Sequence, residues 1–130
     1  MNFSLEIGPK TDLDTLPALK DVYVTMLPGG DYKETTEQAA KLVKKGFNPI
    51  PHFPARSIEN EAQLKDFVNR CKNEGVKQAL VIGGSRDPIG KFDSSIQLLE
   101  TSTKSFSCAS FSIDLAGKWG IGLKPFLTNL

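Results

Sequence analysis

Apolar and polar residues change rhythm several times along the chain. Phe3, Leu5 and Ile7 alternate with Ser4, Glu6 and Gly8, the period of two that a β-strand imposes on its side chains. Gly8-Pro9 closes that run. Val22–Leu27, Asn48–Phe53 and Gln78–Ile82 read as further strands. The second is ended by Pro28-Gly29-Gly30 and the fourth by Gly83-Gly84, and prolines interrupt the third.

Between the strands the period shifts to that of a helix. Asp31 and Glu34 have capping-box spacing, with Asp in place of Ser or Thr. Ala39, Leu42 and Val43 follow as an apolar stripe, and Gly46 suits the C-terminal cap. Leu64, Phe67, Val68 and Cys71 fall at i, i+3, i+4 and i+7, with Gly75 beyond them. A further helix starts near Asp93-Ser94 and carries Ile96, Leu98 and Leu99. Leu13, Leu16 and Leu19 mark a short helix or a turn.

Strand and helix in alternation predict an α/β fold with parallel strands joined by crossovers. From the second strand on, the spacing suits a (β/α)₈ barrel at roughly 30 residues per unit. It suits a doubly wound open sheet equally well. The first strand favours the barrel, because parallel strands of an open sheet are usually apolar on both faces. Here one face is apolar and the other carries Glu6 next to the strand's end, so Ser4, Glu6, Tyr23 and Thr25 read as inward-facing. The expected fold is therefore a partial TIM barrel: about four N-terminal β/α units over residues 1–100, then an atypical tail over 101–130. The tail is serine-rich at first and glycine-rich later. Phe106–Ile113 reads as one more strand, with no helix after it.

Composition narrows the function classes. The chain has 130 residues with 39% hydrophobic and 24% charged, a soluble balance with room for one core. A net charge of +1 gives no electrostatic basis for nucleic acid or an anionic membrane. No apolar run approaches the roughly 20 residues of a membrane span. The N-terminus lacks the basic and apolar regions of a secretion signal. Cys71 and Cys108 form no paired motif, and a cytoplasmic protein with reduced thiols is expected. With His52 as the one histidine, a histidine-rich metal site is excluded.

In parallel α/β folds ligands collect at the C-terminal strand ends. Those ends offer Glu6, Thr25, His52 and the loop Gly83-Gly84-Ser85-Arg86-Asp87. Glu6 reads as a general acid whose pKa a barrel interior would raise, or as an edge carboxylate paired with Lys10. His52 reads as a cofactor contact or as a loop-capping histidine. Gly83, Gly84 and Ser85 could present bare backbone N–H groups to an anion or a flavin, or simply form a tight turn. The loop has neither Walker A nor dinucleotide-fingerprint spacing. Arg86 and Asp87 could pair with each other or face water. Cys71 reads as core.

These residues also carry a resemblance. Phe3-Ser4-Leu5-Glu6-Ile7-Gly8-Pro9-Lys10, Val22-Tyr23-Val24-Thr25, Pro51-His52-Phe53 and Leu80-Val81-Ile82-Gly83-Gly84-Ser85-Arg86-Asp87-Pro88 resemble, in order and spacing, the first four strands of the methylenetetrahydrofolate reductases. The resemblance covers residues 3 to about 100. It implies a TIM barrel holding FAD non-covalently, reduced by NAD(P)H, that converts 5,10-methylenetetrahydrofolate to 5-methyltetrahydrofolate. Glu6 falls on the family's general acid and Asp87 on its flavin- and pterin-proximal aspartate. Thr25 and His52 fall on flavin contacts, and Asp87 reaches its place when the extra residues of Gly83-Gly84-Ser85-Arg86-Asp87 are taken as a local insertion, which leaves Gly83, Gly84 and Ser85 as cofactor-side candidates without a fixed alignment.

Residues 101–130 lack the family's next cofactor loop and its later strands, so the tail reads as truncated or altered. Three hypotheses stand: a flavoprotein reductase of one-carbon metabolism; an incomplete barrel fragment without turnover that self-associates as a homo-oligomer; and a small β/α protein binding another ligand at the same rim.

Overall fold

The computed structural model describes residues 4–105, 112–116 and 122–123. Within them six strands form one sheet in chain order: β1 (Leu5–Ile7), β2 (Asp21–Val24), β3 (Asn48–Pro54), β4 (Gln78–Ile82), β5 (Ser112–Ala116) and β6 (Gly122–Leu123). Strands β1 to β5 are parallel, and β6 pairs antiparallel with β5. Helices α1 (Tyr32–Lys44), α2 (Glu61–Asn73) and α3 (Ser95–Ser105) form the crossovers that follow β2, β3 and β4. The connection after β1 is a 3₁₀ turn over Leu13–Thr15, with Leu13 buried. The chain is thus α/β, with a parallel sheet against helices.

The helix termini form as short-range chemistry requires. Asp31 caps α1 by accepting the Lys33 N–H at 2.9 Å, while Glu34 extends to Lys10 at 3.4 Å. Gly46, at φ +88°, turns the chain so that the Phe47 N–H reaches the Leu42 carbonyl at 3.0 Å. At α2 the Asn60 side chain accepts the Gln63 N–H, and the Gln63 side chain accepts the Glu59 N–H, a reciprocal cap. Leu64, Phe67, Val68 and Cys71 are all fully buried. Phe67 stacks on Phe53 of β3 with ring centroids 3.9 Å apart. Each such ring contributes about 1.5–3 kcal/mol through burial.

The sheet has one helix-covered face. Val22, Val24, Ala79 and Val81 lie on it without exposure, and the alternate positions Tyr23, Leu80 and Ile82 are partly exposed. Prolines in a central strand normally cost ladder bonds. In β3 the Asn48 N–H donates toward β2, to Lys20, so Pro49 and Pro51 occupy the alternate positions whose N–H would point to β4. Pairing with β4 accordingly begins only at His52.

Several boundaries differ from the sequence reading. The second strand ends at Val24 rather than Leu27. Of the expected strand Phe106–Ile113, residues 112 and 113 fall in β5, which runs on to Ala116, and residues 106–111 lie outside the described residues. The boundary at residue 100 falls inside α3, and β5 joins β4 in parallel, so the α/β alternation continues past it. Helix α3 starts where the sequence placed it, next to Asp93-Ser94, and runs on into the serine-rich segment. Ser94 and Gln97 cap the start of α3, and the Ser102 hydroxyl donates to the Leu98 carbonyl at 2.7 Å, so these serines are satisfied within helical structure.

Candidate functional site

Register brings the expected residues to one face. Glu6 pairs with Tyr23, and Tyr23 with Ile50. His52, two residues beyond Ile50, pairs with Leu80. Glu6, Tyr23 and His52 therefore share the side of the sheet opposite Val22 and Val24. His52 Nε2 lies 4.0 Å from Glu6 Oε2, and the Tyr23 and His52 rings are 5.9 Å apart and tilted by 60°.

His52 is only 7% exposed. Its Nε2 is buried and has no hydrogen-bond partner in the described structure. Burial holds its pKa below the ordinary histidine value, partly opposed by the Glu6 carboxylate. The imidazole is therefore mainly neutral at pH 7, and its buried ring nitrogen is open to a hydrogen bond from a water or a ligand group.

The Glu6 side chain is 64% exposed. This corrects the expectation of a desolvated carboxyl: Glu6 stands in solvent although Ile50 and His52 on the same face are buried. The alternative partner, Lys10, is engaged by Glu34.

Thr25 sits just past β2. Its N–H and its hydroxyl both donate to the Ile7 carbonyl, at 2.9 and 3.2 Å, and its own carbonyl accepts the Thr35 hydroxyl. Its first task is thus to tie the ends of β1 and β2 together, which leaves the hydroxyl oxygen able to accept a further bond.

The loop after β4 carries the remaining candidates. Gly84 has φ +97°, a conformation that glycine adopts without steric cost. Gly83 has open space where a Cβ would stand. Ser85 and Asp87 are exposed, Arg86 is half-buried, and no ion pair joins Arg86 to Asp87 among the described residues. Asp87 therefore shares a loop with the glycines and is not paired with Glu6 or His52.

Two contributors escaped the sequence reading. Gln38 of α1, almost fully buried, donates to the carbonyls of Gly8 and Thr11 and fixes the loop after β1. Arg56, just after β3, contacts the loop after β4 at several points. Neither lies in a recognisable motif, because both act across long sequence separations.

An open pocket of about 550 Å³ lies among the loops after β2, β3 and β4, lined in part by Tyr32, Glu59, Arg86 and Ile89. Glu6 and His52 do not line it. Among the described residues no group of three or more His, Cys, Asp or Glu is placed to hold a metal ion, and no helix is long and apolar enough to cross a membrane. No protein-family model matches the chain.

Proposed function

We propose that the chain forms the N-terminal part of a (β/α)₈ barrel that binds FAD at its C-terminal strand ends, as a reductase similar to the methylenetetrahydrofolate reductases acting in the cytoplasm. The observation that carries this reading is the buried, unpartnered Nε2 of His52, set 4.0 Å from Glu6 on the face opposite the helices. Strand order also supports it. Five parallel strands follow one another without the reversal at which doubly wound sheets bind their ligands. The antiparallel β6 is a departure from the all-parallel barrel.

The residues fit a flavin in three respects. His52 offers a neutral ring nitrogen in a dry setting. Thr25 keeps hydroxyl acceptor capacity beside it. Gly83, with open space where a side chain would stand, would let a planar ring approach the backbone, and Gly84 and Ser85 follow it toward the exposed rim. Bound FAD would supply hydride transfer from NAD(P)H to the folate. Glu6, at the solvent side of His52, would hold the proton that the folate takes up, and Asp87 would act from the adjoining loop.

Titration of the purified chain with FAD, followed by flavin fluorescence and visible absorbance, tests this. Stoichiometric binding that His52→Ala weakens by at least tenfold is expected. Absence of binding at any concentration below the solubility limit would overturn it.

One observation favours a second reading. Among the described residues the sheet does not close and β1 lies at its edge, and an open parallel edge leaves N–H and C=O groups to be satisfied. In that reading the chain self-associates and does not turn over. Light scattering separates the two, since a monomer with bound flavin and steady turnover excludes the second.

A further inference from the structure

We infer that Arg56 is a positioning residue: it splints the loop between β4 and α3, residues 83–94, and so presets the backbone of Gly83 and Gly84 for a ligand at the rim. The identity of that ligand rests on the flavin reading above; the splint rests on geometry alone.

Arg56 contacts the start, the middle and the end of this loop. Its N–H donates to the Gly83 carbonyl at 3.0 Å, and its carbonyl accepts the Ile89 N–H at 3.1 Å. Its Nε donates to the Asp93 carbonyl at 2.9 Å and lies 3.5 Å from the Asp93 carboxylate. Its Nη1 reaches the Gly84 carbonyl at 3.5 Å. The loop lies close along the segment that follows β3. A Cβ on Gly84 would stand 3.5 Å from the Cβ atoms of Arg56 and Pro54. A Cβ on Gly90 would fall 2.0 Å from the Glu59 carbonyl oxygen. The Lys91 N–H donates to that same oxygen, and Lys91 Nζ pairs with Glu61 at 2.7 Å.

Residues 83–94 form no helix or strand, so fixing their backbone carries the full entropic cost of an irregular segment. A binding loop that is fixed before the ligand arrives avoids that cost on binding. The two main-chain bonds can form with any residue but proline at position 56, and without the guanidinium they open more often. The guanidinium adds what they cannot, because its fork donates to Gly84 and Asp93 at once and so joins both ends of the loop. Lysine keeps the charge opposite Asp93 and cannot span the two.

The test compares the full chain with Arg56→Lys and Arg56→Ala, using amide hydrogen exchange together with FAD titration read by fluorescence and by the visible spectrum of the bound flavin. Arg56→Ala is expected to speed exchange of the Ile89 and Lys91 amides about tenfold or more, with β2 and β4 unchanged. It should also weaken FAD binding by a similar factor and shift the bound-flavin bands. Arg56→Lys should fall between. Unchanged exchange at Ile89 and Lys91, or acceleration spread equally over β2 and β4, would overturn the splint. So would FAD affinity and spectrum that stay at wild-type values once the loop has loosened. If the wild-type chain binds no FAD and Arg56→Ala still loosens the loop selectively, the flavin reading fails and the splint stands.

Discussion

Glu6 and His52 belong to strands that are not neighbours, β1 and β3, and their Oε2 and Nε2 atoms approach to 4.0 Å across Tyr23 of β2. The two differ sharply in environment: the imidazole is buried and the carboxylate is solvated. An acid able to exchange protons with water thus stands beside a nitrogen shielded from it.

The first prediction concerns pH. Burial favours neutral His52, so its folded pKa lies below its unfolded value. Between those two values the unfolded chain binds more protons, and stability therefore rises with pH. The stabilisation is complete above the unfolded histidine pKa, near 6.5, and is lost as pH falls through the folded value. Urea midpoints should drop as pH is lowered from 7, and His52→Gln should flatten that part of the profile. Because His52 is the single histidine, its imidazole proton resonances report the titration without overlap. Glu6→Gln removes the charge that partly opposes burial and should move the His52 midpoint lower. A shift upward would show that the two groups do not interact as placed.

The second prediction concerns catalysis in a form of the protein that binds FAD and turns over. Glu6→Gln should leave flavin affinity near wild type and lower folate reduction by about 10²–10⁴-fold, the usual contribution of a general acid. Oxidation of NAD(P)H by the flavin should persist. Half-reactions measured separately in a stopped-flow instrument decide this, and an equal fall in both would remove Glu6 from the acid's role.

The third prediction contrasts two glycines of one loop. At Gly90 an added methyl group would meet the Glu59 carbonyl at 2.0 Å, and main chain cannot step aside as a flexible side chain can. Gly90→Ala should destabilise by about 1–3 kcal/mol through forced backbone movement. At Gly83 nothing lies within 4 Å of the added carbon, and Gly83→Ala should stay within about 0.5 kcal/mol of wild type. Equal effects in urea unfolding would contradict the loop's placement against the segment after β3.

The fourth prediction concerns Cys71. Its thiol is buried in the core with Phe67 and Val68, and burial pushes its pKa up to about 12, partly opposed by the nearby Thr36 side chain. Almost no thiolate forms at neutral pH. In a Cys108→Ser background a disulfide thiol reagent should leave the folded chain unlabelled over the time in which urea-unfolded chain reacts fully. Rapid labelling of the folded form would place Cys71 outside the core.

The alternation of Phe3, Leu5 and Ile7 with Ser4 and Glu6, and the i, i+3, i+4, i+7 stripe of α2, determined by themselves that the chain is α/β and which faces meet the core. Such patterns are legible because burial imposes the period of each element on nearby residues. Sequence also placed Glu6, Thr25, His52 and Gly83 at strand ends, since turn residues mark where strands stop. Only the tertiary structure decided that β5 continues the parallel order, that Glu6 is solvated while His52 is buried, and that Thr25 is engaged with Ile7. It alone brought Arg56 onto Gly84 and Asp93, and Gln38 onto Gly8 and Thr11. The exposure of a side chain and the partner of a donor depend on segments that lie tens of residues away. Spacing along one chain carries no record of which of those segments folds back over a given residue.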